Sequence, residues 1–94
     1  MRVIKKEPGQ LARVVEIENE LKPLQEAVGG YIECVTLPNG LVVICNEEGL
    51  LMGLPYNTVF AGIPFVGTIL VVGDGGEDFT DVPEEYVTHL IRAL

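Results

Sequence analysis

Tyr31-Ile32-Glu33-Cys34-Val35-Thr36-Leu37-Pro38-Asn39-Gly40-Leu41-Val42-Val43-Ile44-Cys45 is the stretch that decides the fold of this chain. Two β-branched, apolar runs flank a Pro-Asn-Gly triplet, which is turn chemistry between two strands. Apolar residues occur on both faces of the pair, as in strands central to a sheet. Two registers are open. If Asn39-Gly40 form a two-residue type I′ loop, Pro38 faces Leu41 and Cys34 lies opposite Cys45. If Pro38-Asn39 form a type I turn and Gly40 takes a left-handed bulge position, Leu37 faces Leu41 and Cys34 faces Ile44. Proline fits the second position of a type I turn, which favours the bulged form.

Upstream, Arg2 to Lys6 and Ala12 to Glu18 hold short β-branched runs separated by Pro8-Gly9, the central pair of a type II turn, and read as an N-terminal hairpin. A short helix follows, capped by Asn19 or started by Pro23 at its first position, and stopped by Gly29. Downstream, a loop is expected from Asn46 to about Thr58, and Pro64 marks an edge or bend in Phe60 to Phe65. Gly67 to Gly73 reads as a buried strand, ended by Asp74-Gly75-Gly76. Asp81 and Glu84 form a capping pair for a last helix with Pro83 in its first turn. Val87, Leu90, Ile91 and Leu94 share one face of that helix. The expected architecture is one α+β domain, residues 1–94. It is a small mixed or antiparallel sheet of hairpins, with a short first helix and a C-terminal helix packed on it.

Ninety-four residues allow one core and no second domain. Hydrophobic residues are 48% of the chain and the mean hydropathy is +0.35, more than a small domain easily hides, so part of the surplus belongs in an interface or a pocket. No signal-peptide core or spanning stretch is present, and the expected location is cytoplasmic. The net charge is −8, with five of the six basic residues in the first 22 positions and ten acids in the cation-free interval between Lys22 and Arg92. That field disfavours duplex nucleic acid and anionic membranes.

Catalytic chemistry has few parts to draw on. The chain has no serine and one histidine, His89, expected to be a solvated helical side chain. The carboxylates Glu47-Glu48, Asp74 with Glu77-Asp78, and Glu84-Glu85 sit in turns and at a helix start, where acids face water more often than they act as catalytic pairs. Cys34 and Cys45 lack metal or redox spacing and read as reduced, buried thiols. The chain is therefore read as a non-enzyme with no catalytic residue, cofactor or metal. The candidate ligand site is the block after the central hairpin. Tyr31 and Tyr56 offer aromatic faces, Asn46 and Asn57 side-chain amides, Glu47 a carboxylate, and Gly49, Gly53 and Pro55 shape the backbone. The alternative, which such side chains adopt more often, is that both asparagines bond their own loop backbone. Arg2, Lys5, Lys6 and Arg13 are the candidate phosphate-binding residues.

Leu24-Gln25, Val28-Gly29-Gly30-Tyr31-Ile32-Glu33, Cys45-Asn46-Glu47-Glu48-Gly49, Gly53-Leu54-Pro55-Tyr56-Asn57 and Gly67 to Gly73, with Glu7-Pro8-Gly9 and Asp78-Phe79, together resemble the domain of unknown function 3846 family. Those are small proteins of phages, plasmids and their bacterial hosts. The resemblance implies a mobile-element setting and carries over no activity. Relatives often place a basic residue after the asparagine matching Asn57, where this chain has Thr58. The expected function is an oligomeric phage-type protein that sequesters a small nucleotide-like ligand of host defence. The rival expectation is an acidic inhibitor or DNA mimic that docks on a basic host protein.

Overall fold

The computed structural model describes residues 1–94 as ten elements. They are β1 (Arg2–Lys6), β2 (Arg13–Glu16), α1 (Leu21–Val28), β3 (Ile32–Thr36), β4 (Leu41–Asn46), β5 (Tyr56–Phe60), β6 (Ile63–Val66), β7 (Ile69–Asp74), β8 (Phe79–Thr80) and α2 (Glu84–Ala93). The main sheet runs β2-β1-β7-β4-β3, with β8 added to β7, and every pairing is antiparallel. β5 and β6 form a separate two-stranded ribbon. The α+β expectation holds.

The central hairpin adopts the bulged register. Cys34 faces Ile44, Leu37 N–H donates to Leu41 C=O at 2.9 Å, and Gly40 has φ 82°. β4 and β7 are the apolar, two-sided strands the sequence predicts: all of β4 is buried, and so is β7 up to Gly73. β3 differs from expectation. It ends the strand order, so its outer side has no neighbour, and Cys34 is exposed rather than buried.

Strand alternation separates two cores. Ile4, Leu41, Val43, Cys45, Ile69 and Val71 face α2 and the β5–β6 ribbon, meeting Leu90 and Phe65. Val3, Val42, Ile44, Leu70 and Val72 face the other way and receive Leu24 and Val28 of α1. A two-turn helix is unstable alone, so this pair of side chains, four residues apart, holds it. Each fully buried Val, Leu or Ile contributes about 1.5–3 kcal/mol of transfer free energy.

Both helix starts depart from the sequence reading. α1 begins after Glu20 with no side-chain cap, and Asn19 instead donates through Nδ2 to Asp78 Oδ1 and Phe79 C=O, both at 3.0 Å. Pro23 sits two positions further in than the N1 alternative. α2 begins after Pro83, also without a side-chain cap, because Asp81 Oδ1 accepts the Arg2 backbone N–H at 2.9 Å. In both places a distant strand competes for the capping group and wins. Gly29, at φ 81°, stops α1 as expected. On α2, Leu90 is buried, Val87 and Leu94 pack at the core's margin, and Ile91 is 39% exposed and outside both cores.

The loop expected to reach Thr58 ends earlier, at Tyr56, where β5 starts. β5 returns as β6 through Ala61-Gly62, both at positive φ (52° and 76°), which is type I′ geometry. Pro64 lies in this ribbon opposite Val59, an edge position as predicted.

Candidate docking site at residues 46 to 56

Asn46 closes β4 with its side chain turned inward. Oδ1 accepts the Glu48 N–H at 2.8 Å, and Nδ2 donates to Val28 C=O at 3.1 Å, with Met52 Sδ at 3.5 Å. One amide thus ties the end of α1 to the start of the loop. The loop continues its own bonding: Gly49 N–H to Asn46 C=O, Met52 N–H to Glu48 C=O, and Leu54 N–H to Gly49 C=O. Gly49 is buried because the ribbon presses on it; a Cβ there would lie 2.9 Å from Val66 Cγ2. Gly53 supplies a positive φ of 66°, and Pro55 C=O accepts the Gly67 N–H at 2.8 Å.

Asn57 is also buried. Its Nδ2 donates to Lys6 C=O at 2.8 Å and Gly67 C=O at 2.7 Å, while Oδ1 accepts from Lys6 Nζ at 3.0 Å. Lys6 is itself buried, and its second partner is Glu7 C=O at 3.0 Å. Both asparagines are therefore latches that fasten the loop and ribbon to the rest of the fold; only the Asn46–Glu48 bond is the own-loop bonding raised above, and the other partners come from distant positions.

The basic set is not assembled into a free cationic site. Arg2 pairs with Glu84, Arg13 Nη2 with Glu7 Oε1 at 2.7 Å, and Lys5 Nζ lies 4.0 Å from the same oxygen. The Arg13 hydrogen bond holds the Glu7 carboxyl below its ordinary range. These residues belong to β1 and β2, and β7 and β4 separate β1 from β3.

What the latches present outward is apolar. Leu50 and Leu51 are 84% and 87% exposed, and Met52 53%. Tyr31 and Tyr56 are 64% and 61% exposed. Glu47 and Glu48 stand at the start of the loop in water, and Glu47 N–H donates to Tyr31 C=O at 2.8 Å, which sets Tyr31 beside it. The three consecutive apolar residues between Gly49 and Gly53 are the surface feature that sequence reasoning passed over; their signal was an uncharged run inside a loop.

Two grooves flank the ribbon on the α2 side of the sheet. One, about 410 Å³, lies between β3, the loop and β6, and includes Glu33, Val35, Cys45 and Phe65. The other, about 440 Å³, lies between the central turn, the ribbon tip and α2, and includes Phe60, Tyr86 and His89. Burial, reinforced by Glu33, pushes the Cys45 thiol up to about 11, which keeps it protonated and inert. No group of three or more His, Cys, Asp or Glu side chains is arranged to hold a metal ion. No helix is long and apolar enough to cross a membrane.

The residues just placed at the α1 stop, the Asn46 corner, the Gly53 to Asn57 return and the Gly67 to Gly73 strand are those that carried the resemblance. A family model, the domain of unknown function DUF3846, matches residues 1–94, the whole chain. The chain belongs to the DUF3846 family. No curated protein and no solved structure matches it. In this DUF3846 protein the glycines and asparagines have a structural account: they fold a loop tightly enough to hold leucines in water.

Proposed function

We propose that this DUF3846 protein is a non-catalytic binding protein whose working surface is the loop Glu47 to Tyr56 together with Tyr31, and that its partner is a protein. The observation that carries the reading is the exposure of Leu50 and Leu51 on a loop held by backbone bonds and the Asn46 side chain. An apolar run costs solubility in water, and a bonded loop has already lost the conformational entropy that docking would otherwise remove. Such surfaces suit an apolar pocket in a partner. The rim is acidic, with Glu33, Glu47 and Glu48 near the loop and no Lys or Arg between positions 22 and 92, so the partner's rim is basic. In the mobile-element setting that the resemblance implies, that partner is a host protein in the cytoplasm.

The test is capture from host cells with a tagged chain, compared quantitatively with Leu50→Asp/Leu51→Asp and Glu47→Lys/Glu48→Lys. One partner should be retained by the wild type, released by raised salt, and lost from both variants. Equal recovery by all three proteins would refute the reading.

A second reading, sequestration of a small nucleotide-like ligand of host defence, draws support from the exposed rings of Tyr31 and Tyr56, which are available for stacking. The pairing of Arg2, Lys5 and Arg13 with carboxylates and the burial of Lys6 tell against a phosphate site within one copy. Calorimetric titration with cyclic nucleotides and ADP-ribose derivatives separates the two readings: saturable heat would favour the second, and none well above micromolar concentration would exclude it.

A further inference from the structure

β3 has the geometry of an open strand edge. Leu37 N–H bonds Leu41 C=O at one end and Glu47 N–H bonds Tyr31 C=O at the other. Between them the register is one-for-one, with Glu33 opposite Cys45 and Val35 opposite Val43. In an antiparallel ladder, inward and outward backbone groups alternate. Tyr31, Glu33, Val35 and Leu37 therefore face β4, and the N–H and C=O groups of Ile32, Cys34 and Thr36 point away from the sheet. Natural edges are usually blunted by proline, lysine, a bulge or a cover. Within β3 there is no proline, no lysine and no bulge, and no strand lies beyond it.

Two further features lie beside this edge. On the face of Glu33 and Val35 is the groove of about 410 Å³, walled by Leu50, Ile63, Phe65 and Val66. On the opposite face, Asp74, Glu77 and Asp78 share a depression with Cys34 and Thr36. Neither lining includes a Lys or Arg. Open main-chain groups, a mainly apolar groove edged by Glu33 and Glu47 on one face and further carboxylates on the other are the parts of a strand-addition site.

We propose that the β3 edge receives an extended segment of a basic partner protein. The segment adds a strand by bonding to Ile32, Cys34 and Thr36, sets apolar side chains over the groove, and turns Lys or Arg toward the carboxylates. The inference rests on the protein-partner reading above and adds to it the form of the partner. A second copy of this chain is the less suitable occupant, because each copy carries a net charge of −8 and the cations near its own outer strand β2, Arg13 and Lys5, are already paired with Glu7.

The probe is a labelled peptide, Lys-Val-Lys-Leu-Lys-Val-Lys, titrated by fluorescence anisotropy, with hydrogen exchange read by NMR. Saturable binding is expected. The amides of Ile32, Cys34 and Thr36 should exchange fast in the free protein and slow at least tenfold on binding, while Glu33 and Val35, already bonded to β4, change little. Methylating the peptide's alternate backbone nitrogens on its bonding side should weaken binding at least tenfold, with charge and side chains kept and the protein untouched. Cys34→Pro should do the same; its lost N–H makes no bond to β4, and an unchanged urea midpoint would show that the fold survives. Equal binding of the methylated peptide, or no protection at the three amides, would overturn the proposal. So would a wild-type dimer in sedimentation that Cys34→Pro dissociates, because the occupant would then be a second copy. No peptide binding combined with partner capture that still depends on Leu50 and Leu51 would overturn strand addition and leave the loop reading standing.

Discussion

Asn57→Ala tests whether a single side chain fastens the ribbon to the main sheet. The substitution deletes two bonds to the carbonyls of Lys6 and Gly67 (2.8 and 2.7 Å) and one from the Lys6 ammonium (3.0 Å), which keeps only Glu7 C=O. A neutral hydrogen bond contributes about 1 kcal/mol net and one to a charged group about 1.5–3 kcal/mol, with a further cost for buried groups left unpaired. Water entering the vacated space offsets part of this, and the expected loss is about 3 kcal/mol. A chain of 94 residues has a total stability of about 5–14 kcal/mol, so the variant folds but weakly. With a urea slope of about 1.5 kcal/mol/M, the circular-dichroism midpoint should fall by about 2 M. Asn57→Asp is the control. It brings an anion to Lys6 yet loses both donations and sets a carboxylate oxygen against two carbonyls, so it should be no more stable than the alanine variant. In a cycle with Lys6→Met, the two substitutions should be non-additive by at least 1 kcal/mol, as expected for direct partners. A loss below about 1 kcal/mol for Asn57→Ala, or additive effects in the cycle, would refute the latch and reopen Asn57 as a ligand residue.

Three further predictions concern the cysteines and the contact between Gly67 and Leu54. Cys34 is exposed at its surface but its sulfur is partly desolvated; that desolvation, then Glu33, raises its thiol above the ordinary value, and stronger burial with Glu33 pushes Cys45 up to about 11. Alkylation at pH 8 should therefore modify Cys34 slowly and Cys45 only on unfolding, as read by mass spectrometry; equal rates in the folded protein would contradict the burial argument. Because the folded state keeps the Cys45 proton while an unfolded thiol loses it near 9, the Cys45 contribution to stability is full below pH 9 and declines as pH rises toward 11. Urea midpoints at pH 8 and pH 10 should show that decline, and Cys45→Ala should reduce it. Gly67→Ala places a Cβ 2.7 Å from Leu54 Cδ1 at a φ of 71°, so it should cost about 1–3 kcal/mol through overpacking and backbone strain. A change within 0.5 kcal/mol would mean that Leu54 moves aside freely.

The parts legible in the sequence are those governed by neighbours along the chain. The Pro38-Asn39-Gly40 turn favoured the bulged register over the two-residue loop, and the observed pairing of Cys34 with Ile44 is that register, because turn residues bias register locally. Gly29 predicted the end of α1, and the unbroken apolar runs predicted the buried strands β4 and β7. Within the candidate stretch, the two asparagines expected to face a ligand are buried and bonded internally. Asn46 and Asn57 looked available because nothing local shows that Val28, Lys6 and Gly67 arrive beside them from distant positions. Both expected caps failed for the same reason: Asn19 and Asp81 bond to Asp78, Phe79 and Arg2 across the fold.

By itself the sequence determined the class of fold, the family and the acidic, apolar character of the chain, and it favoured one of two hairpin registers, because propensity, turn geometry and composition act over a few residues or over the whole chain. Only the tertiary structure decided which strand lies at the edge, which polar groups are used internally and which leucines stand in water. Those outcomes depend on strand order and on contacts between residues tens of positions apart, such as Lys6 with Asn57, and local periodicity does not encode them. Tertiary placement converted two asparagines from candidate ligand readers into latches, and turned attention to the leucines they hold outward and to the open strand beside them.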